Sequence, residues 1–570
     1  MKKIFALVLH ILGLSFTFNA QTPMELLRGA EGMTPVKYHE LSQQADGLFQ
    51  RREYAKAVET YEQVTKAYPF DGEIWRRLGV ARLQTEQFVA AAQAFVKADE
   101  LGVTPYPTTN AINAARAYAR AGEVDNALKW LEKAVIVYRS ERATSLAQDT
   151  NFVSLRQNPR FQALVGIPSN RTFTRDDGWR YDLEYLISQI KRANATYSRE
   201  PFPDRMDQAI GQLRKQIPKL SDAQIAVELQ RIIAMMGHSH NRIKFEAQPS
   251  KFKFVQLPIR VSLFPEGVYV VAADSAHEDL IGAQITHYDA TPSEAVVKSI
   301  YPLFPSEGEP LRIEGPYLMS RPQILHALGV INDPNKVKLK VIDRAGSKRE
   351  VEVTAATETN LETLTISRPS ATALTPLYLS KGDDFHWFEH LSKENAVYAC
   401  FKQVLHKPDQ TIAEFGLKLR RFLNEHHGVK NLIVDIRRNG GGDTYFYPEL
   451  LRTIIAFDAR EGNQTFVIIG RNTSSAAMNF ALDLERMTNA TFIGEPTMAR
   501  PKMNGDSGSF ILPWSNMQIT YSTVVWQLTS PRDERNWIVP DVPVVLTAAA
   551  YFANRDPVME TIISLINRKN

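Results

Sequence analysis

The chain has 570 residues, of which 44% are hydrophobic and 23% charged, and a formal net charge of +4. Single cores stop growing near about 250–300 residues, so three or four domains are expected. The near-neutral balance with no long basic run argues against a nucleic-acid partner, and a single cysteine, Cys400, excludes an internal disulfide framework.

Met1-Lys2-Lys3, the apolar stretch Ile4 to Phe18 and the small residue Ala20 form the pattern of a secretory signal peptide, predicted over residues 1–20 with cleavage after Ala20. The apolar stretch, about 15 residues, falls short of the roughly 20 that span a bilayer. No later run is long enough either, so no membrane span is expected in the mature chain. A secreted chain without disulfides fits a bacterial envelope protein, periplasmic or extracellular. The buried-looking neighbours of Cys400 predict an inert thiol.

Residues 36–140 carry an internal repeat: Ala57 and Tyr61 recur 34 residues later as Ala91 and Phe95, and again as Ala127 and Leu131. That period reads as tetratricopeptide repeats. Alanine lets paired helices approach closely while Trp75, Tyr61 and Phe95 fill the next layer. Such an array implies a protein partner. Residues 141–170 are expected to hold a capping helix, Asp149 to Val165, and a linker.

Residues 171–249 read as a helical region. Ser221-Asp222-Ala223-Gln224 is a capping box, and Ile225, Leu229, Ile232, Ile233 and Met236 fall on one helical face. The helix stops at Gly237, followed by His238-Ser239-His240-Asn241. Residues 250–360 alternate apolar and polar positions, as in Val337 to Val341, and read as a β-rich module.

From 361 to 570 strands alternate with helices, an α/β core that carries the chemistry. Asn431 to Ile436 is an apolar run suited to a sheet covered on both faces, and it breaks into Arg437-Arg438-Asn439-Gly440-Gly441-Gly442. Successive glycines allow a sharp turn and let a carbonyl approach bare N–H groups. A second strand, Thr465 to Ile469, delivers Thr473-Ser474-Ser475-Ala476-Ala477 to the mouth of a helix, whose N-terminus favours developing negative charge. Ser475 is the candidate nucleophile, and the N–H groups of Gly441 or Gly442 and of Ala476 are candidate oxyanion donors. Either segment alone is ordinary turn or helix-start chemistry. In this order the two point to acyl transfer.

The runs 435–442 and 473–477, with Ile493-Gly494-Glu495-Pro496-Thr497, resemble the core motifs of the tail-specific, or C-terminal processing, serine peptidases, including their tricorn-core branch. The resemblance runs from about residue 175 to the end. It implies a multidomain chain: an all-α tetratricopeptide array, a helical region, a PDZ-like β-rich module and an α/β crotonase-like catalytic core. The module lacks the usual Gly-Leu-Gly-Phe carboxylate-binding loop. In the tricorn-core branch the base is a histidine just after the helical region. Met236 to Asn241 matches that motif with His240 in the base position and His238 as its competitor. The family's orienting acid stands six residues before the proline of a Pro-Asp pair, which is Glu534, with Asp533 as its neighbour and alternate. Arg535 and Trp537 replace the Asn and Gly usual in this stretch.

The other branch uses a Ser-Lys dyad, but the position of its lysine is Arg500, which stays protonated and cannot act as a base. Lys502, two residues on, is the alternate. No cofactor and no metal is expected, since no Cys/His cluster has ligand spacing and there is no HExxH. The expected activity is cleavage of a peptide or protein substrate through an acyl-enzyme, with a Ser475-His240-Glu534 triad. The alternatives are a non-catalytic binding protein that keeps the fold, and an esterase using the same groups.

Overall fold

The structure, a computed structural model, describes residues 34–102, 107–137, 145–165, 173–246, 250–305, 310–356, 365–366, 375–382 and 384–569. The signal-peptide expectation, residues 1–20, lies outside them. The chain divides into two compact units, Met1–Ala117 and Tyr118–Asn570.

The first unit is helical: α1 (Pro35–Gln50), α2 (Tyr54–Ala67), α3 (Gly72–Gln84), α4 (Phe88–Leu101) and α5 (Pro107–Arg120), the last crossing the boundary. Thr34 and Asp71 cap α1 and α3 by accepting backbone N–H groups of the first turn. The repeat alanines Ala57 and Ala91 have no exposed surface. A Cβ on Gly79 would come within 2.9 Å of the Phe95 ring, so the small residue at this crossing is required by the aromatic opposite. Tyr61 Oη donates to Asp46 at 2.5 Å, and Arg77 pairs with both Asp46 and Glu73.

In the second unit, α6 (Val124–Glu132) is followed by 3-10 turns at Ser145–Gln148 and Thr150–Leu155 and by α7 (Pro159–Val165). The single capping helix expected over 149–165 is therefore broken. Phe152 leaves helical geometry, and Pro159 disfavours helix at the residue before it. Next come α8 (Arg175–Ala193), α9 (Asp204–Gln216) and α10 (Asp222–Ala234), the last with the predicted capping box formed by Ser221 and Gln224.

After the three-residue β1 (Arg242–Lys244) a seven-stranded antiparallel sheet is built from β2 (Ile259–Phe264), β3 (Gly267–Ala273), β4 (Gln284–Tyr288), β5 (Thr291–Pro292), β6 (Lys336–Ile342), β7 (Lys348–Thr354) and β8 (Thr365–Ile366). Its order is β2-β3-β4-β6-β7, with β5 on β4 and β8 on β3. The alternation read in the sequence holds in β6, where Val337, Leu339 and Val341 are buried. The sequence reading missed three helices between β5 and β6: α11 (Ser293–Ile300), α12 (Leu311–Met319) and α13 (Pro322–Ala327). They are short, and Pro302, Pro310, Pro316 and Pro322 interrupt the helical period that would have betrayed them.

The remainder is a six-stranded sheet, β16-β13-β12-β11-β10-β9, parallel except for β9. Its strands are β9 (His386–Leu391), β10 (Ala396–Phe401), β11 (Asn431–Asp435), β12 (Gln464–Ile469), β13 (Thr491–Gly494) and β16 (Val542–Pro543). Around it lie α14 (Leu377–Ser380), α15 (Ile412–Glu425), α16 (Pro448–Asp458), α17 (Ala476–Met487), α18 (Ala548–Phe552) and α19 (Pro557–Lys569). All five residues of β11 are buried, as a strand covered on both faces requires.

The strands β14 (Lys502–Ile511) and β15 (Gln518–Gln527) lie outside this sheet, pairing with each other, and β15 also pairs with β1, Arg242 opposite Thr520. The helical region is joined to the core at the same place. Asp182 in α8 accepts the N–H groups of Trp514 and Ser515, and Trp179 packs edge-on against Trp514. The His motif thus enters the core beside this three-stranded sheet.

Candidate active site

The glycine loop is fixed from below. Tyr398 Oη donates to Asp435 at 2.6 Å, Arg437 donates to Asp435 through Nε at 3.1 Å, and Arg437 reaches Asp556 at 2.8 Å. This buried group sets where the chain leaves β11. Asn439, with no exposed surface, donates from Nδ2 to the Phe401 carbonyl at 3.0 Å and accepts the Gly441 N–H at Oδ1, also at 3.0 Å. Gly441 and Gly442 hold φ of +105° and +144°. A Cβ on Gly442 would stand 2.2 Å from the Val404 carbonyl oxygen. Sequence reading offered Gly441 or Gly442 as an oxyanion donor. The Gly441 N–H is committed to Asn439, whereas the Gly442 N–H has no acceptor among the described residues.

The serine loop is bonded to the glycine loop. Thr473 Oγ1 donates to the Ile436 carbonyl at 2.9 Å and accepts the Gly470 N–H at 3.1 Å, and the Ser474 N–H donates to the Asn439 carbonyl at 3.2 Å. Ser475 is the N-cap of α17 with φ +52° and ψ −130°, and its side chain makes no capping bond. It is half-buried. The Ala476 N–H, one of the orphan donors of a helix start, has no acceptor among the described residues.

His240 lies just ahead of β1, half-buried, and its carbonyl accepts from Thr520 Oγ1 at 2.9 Å. Burial lowers the imidazole pKa to about 4, and Arg242 adds to the effect. A hydrogen bond to the Asn504 backbone opposes them, and His238 lowers it further. The ring is therefore neutral at neutral pH. Asn504, in β14, also accepts Ser522 Oγ at its carbonyl, 3.3 Å, and donates from Nδ2 to Thr196 at 3.0 Å. Two residues further along β14, burial and then the charge of Asp443 raise the pKa of the Asp506 carboxyl, against a hydrogen bond with Trp526. Asp443 follows Gly442 directly, so the strand that holds His240 runs on to the glycine loop. No hydrogen bond joins His240 to the Ser475 hydroxyl among the described residues.

The structure does not bring the expected acid to His240. The Glu534 side chain is 76% exposed and pairs with Arg500 at 3.2 Å. Its alternate Asp533 pairs with Arg535 at 2.8 Å, and Arg535 also holds Glu485 of α17 at 2.7 Å. The cause is the pair of substitutions already visible in the sequence: arginines at 500 and 535 supply cations that capture both carboxylates. His238 accepts the Asn241 N–H at its carbonyl, 3.0 Å. Lys502 opens β14 opposite Gln527 and has no bond to Ser475 among the described residues. Sequence reasoning missed Asn439 and Asn504. Asn439 had a local signal, an Asx side chain two residues before the N–H it binds. Asn504, so far from His240 along the chain, had none.

Residues 42–102 match the family model described as tetratricopeptide repeat. No curated protein sequence matches the chain. Among solved structures, mature CPAF complexed with lactacystin is similar at 13% identity and TM-score 0.51, over 69% of this chain and 99% of that one. The photosystem II D1 C-terminal processing protease, at 14% identity and TM-score 0.32, covers 69% of this chain and 98% of that one. The tricorn protease, also at 14% and 0.32, covers 69% of this chain and 37% of its own. The last two superpose too loosely to say more, and the first fixes the fold alone. A helical repeat region followed by several β-sheets in the CPAF arrangement fits the resemblance drawn from residues 435–442 and 473–477.

Proposed function

We propose that the protein is a secreted serine peptidase of the tail-specific type, cutting peptide bonds through an acyl-enzyme on Ser475. The observation that carries this is the Ser475 backbone, φ +52° and ψ −130° at the mouth of α17. A non-glycine residue holds such a conformation at a cost of about 1–3 kcal/mol, and such strain concentrates at working sites. Ala476, the next residue, and Gly442, next to the Gly441 that abuts Ser475, carry N–H groups with no acceptor among the described residues. They are the oxyanion donors of this reading. His240, neutral with its pKa lowered to about 4, takes the serine proton. The Asn504 backbone, hydrogen-bonded to the imidazole, holds the tautomer, a role the motif resemblance gives to Glu534.

The signal-peptide pattern supports export to the periplasm or beyond. In this reading the seven-stranded sheet is the PDZ-like module, the six-stranded sheet is the crotonase-like core, and the repeats recruit a protein partner or substrate. A fluorophosphonate probe tests the central claim: the wild type labels and cleaves an unfolded protein, while Ser475→Ala and His240→Ala each lose several orders of magnitude and the double variant is scarcely worse. One observation favours a binding protein instead, the capture of Glu534 by Arg500. A folded wild type that neither labels nor cleaves establishes that alternative.

A further inference from the structure

A short helix of the seven-stranded module touches both halves of the candidate site. α12 packs on β2 and is buried along Gly315, Leu318 and Met319, and a Cβ on Gly315 would stand 3.0 Å from Leu311 and 3.4 Å from Ile300, so the helix is closely seated. From its first turn Arg312 reaches Glu495 at 3.1 Å. Glu495 in turn holds Arg471 through two bonds, at 2.7 and 2.6 Å, and Arg471 donates from Nη1 to the Leu263 carbonyl of β2 at 2.7 Å. Arg471 opens the loop that ends at Ser475. Glu314, two residues after Arg312, pairs with Arg242 at 2.6 Å, and Arg242 stands two residues after His240.

The Glu495–Arg471 pair is not a loose surface contact. The side chains of Glu495 and Arg471 are 10% and 13% exposed. Burial opposes the charge of Glu495, yet Arg471 and Arg312 more than offset it and hold its pKa below the ordinary carboxylate value. Charge-assisted bonds of this kind are short and directional, so they fix position as well as add stability. Loss of Arg312 leaves Glu495 with one cation in a poorly solvated place. Loss of the Glu314 charge leaves Arg242 without its partner beside the base.

We propose that α12 aligns the serine loop with the histidine strand, with Arg312 a positioning residue for Ser475 through Glu495 and Arg471, and Glu314 a positioning residue for His240 through Arg242. This rests on the peptidase reading above. Neither residue touches the reacting atoms. Both act on where those atoms stand, and a misplacement of about 1 Å at a reacting centre costs on the order of a hundredfold.

The test is saturation kinetics of fluorophosphonate labelling on the full chain, with thermal unfolding measured on the same samples. Arg312→Gln and Glu314→Gln are expected to lower the limiting labelling rate about tenfold or more, with the saturation constant for the probe little changed and the protein still folded at the assay temperature. Arg312→Lys should recover part of the loss. Arg312→Gln combined with Glu495→Gln should be no worse than Glu495→Gln alone. Wild-type labelling with unchanged limiting rates in both single variants overturns the alignment role and leaves the peptidase reading standing. So do rates that fall only as the folded fraction falls. A folded wild type that fails to label removes both.

Discussion

Gly441 lies directly against Ser475: a Cβ built on Gly441 would stand 2.6 Å from the Ser475 Cβ and 2.9 Å from the Ala476 nitrogen. With φ at +105°, the position is also strained for any other residue. Gly441→Ala is therefore expected to push the serine loop away and cut probe labelling by at least a hundredfold. Gly440→Ala, whose added Cβ meets nothing within 4 Å, should keep most of it. Equal loss in the two, at equal folded fraction, would show that the close approach is not what matters.

The strain at Ser475 makes a separate, thermodynamic prediction. Ser475→Gly removes the penalty for a positive φ and should stabilise the protein by about 1 kcal/mol relative to Ser475→Ala, which keeps it. Denaturant midpoints of the two variants at constant slope measure the difference. Neither should label. If alanine proves the more stable, the serine is not strained.

How much of this was legible in advance follows the range of each interaction. The β11 run, the glycines after it and the small residues before α17 are local signals, and the strand–loop and strand–helix junctions form where the sequence puts them. The Ser221 capping box is equally local and formed as expected. The pairing of β1 with β15 was invisible, because three residues of strand have no period to read and the partner lies far along the chain. The same distance hid Asn504 from His240. Glu534 was placed by motif spacing alone, and spacing cannot register that Arg500 offers it a nearer cation.

That ion pair allows the acid to be tested. A pair whose acid is 76% exposed, as Glu534 is, contributes little, typically about 0–1 kcal/mol, so Glu534→Gln should barely change the unfolding midpoint. With the imidazole held by Asn504, labelling in Glu534→Gln and Arg500→Ala should stay within about threefold of wild type, far from the loss in His240→Ala. A hundredfold loss in Glu534→Gln, with Arg500→Ala as fast as or faster than wild type, would mean that the carboxylate leaves Arg500 to act at the base.

His386 provides a pH test that is independent of catalysis. The residue has no exposed surface and neither ring nitrogen has a hydrogen-bond partner among the described residues, with Phe415 4.9 Å and Phe401 6.4 Å away between ring centres. Burial lowers its pKa to about 4, Lys407 adds to this, Asp384 and Asp409 oppose it, and His406 acts with Lys407. Well above pH 6.5 the side chain is neutral in folded and unfolded chains alike, so its contribution does not change there. Between 6.5 and about 4 the unfolded chain takes up a proton that the folded one refuses, and stability falls as pH falls. At 1.36 kcal/mol per pKa unit the full loss is on the order of 3 kcal/mol. His386→Leu should match or exceed wild-type stability at pH 7.5, because it removes two unsatisfied buried groups. It should also lose less stability than wild type on going to pH 4.5, by on the order of 2 kcal/mol. Asp182, raised to about 6 by burial, and His240 titrate in the same window, but they do so in both proteins and cancel in the difference. Parallel denaturation curves for the two proteins from pH 7.5 to 4.5 would mean that His386 is not held neutral by its apolar surroundings.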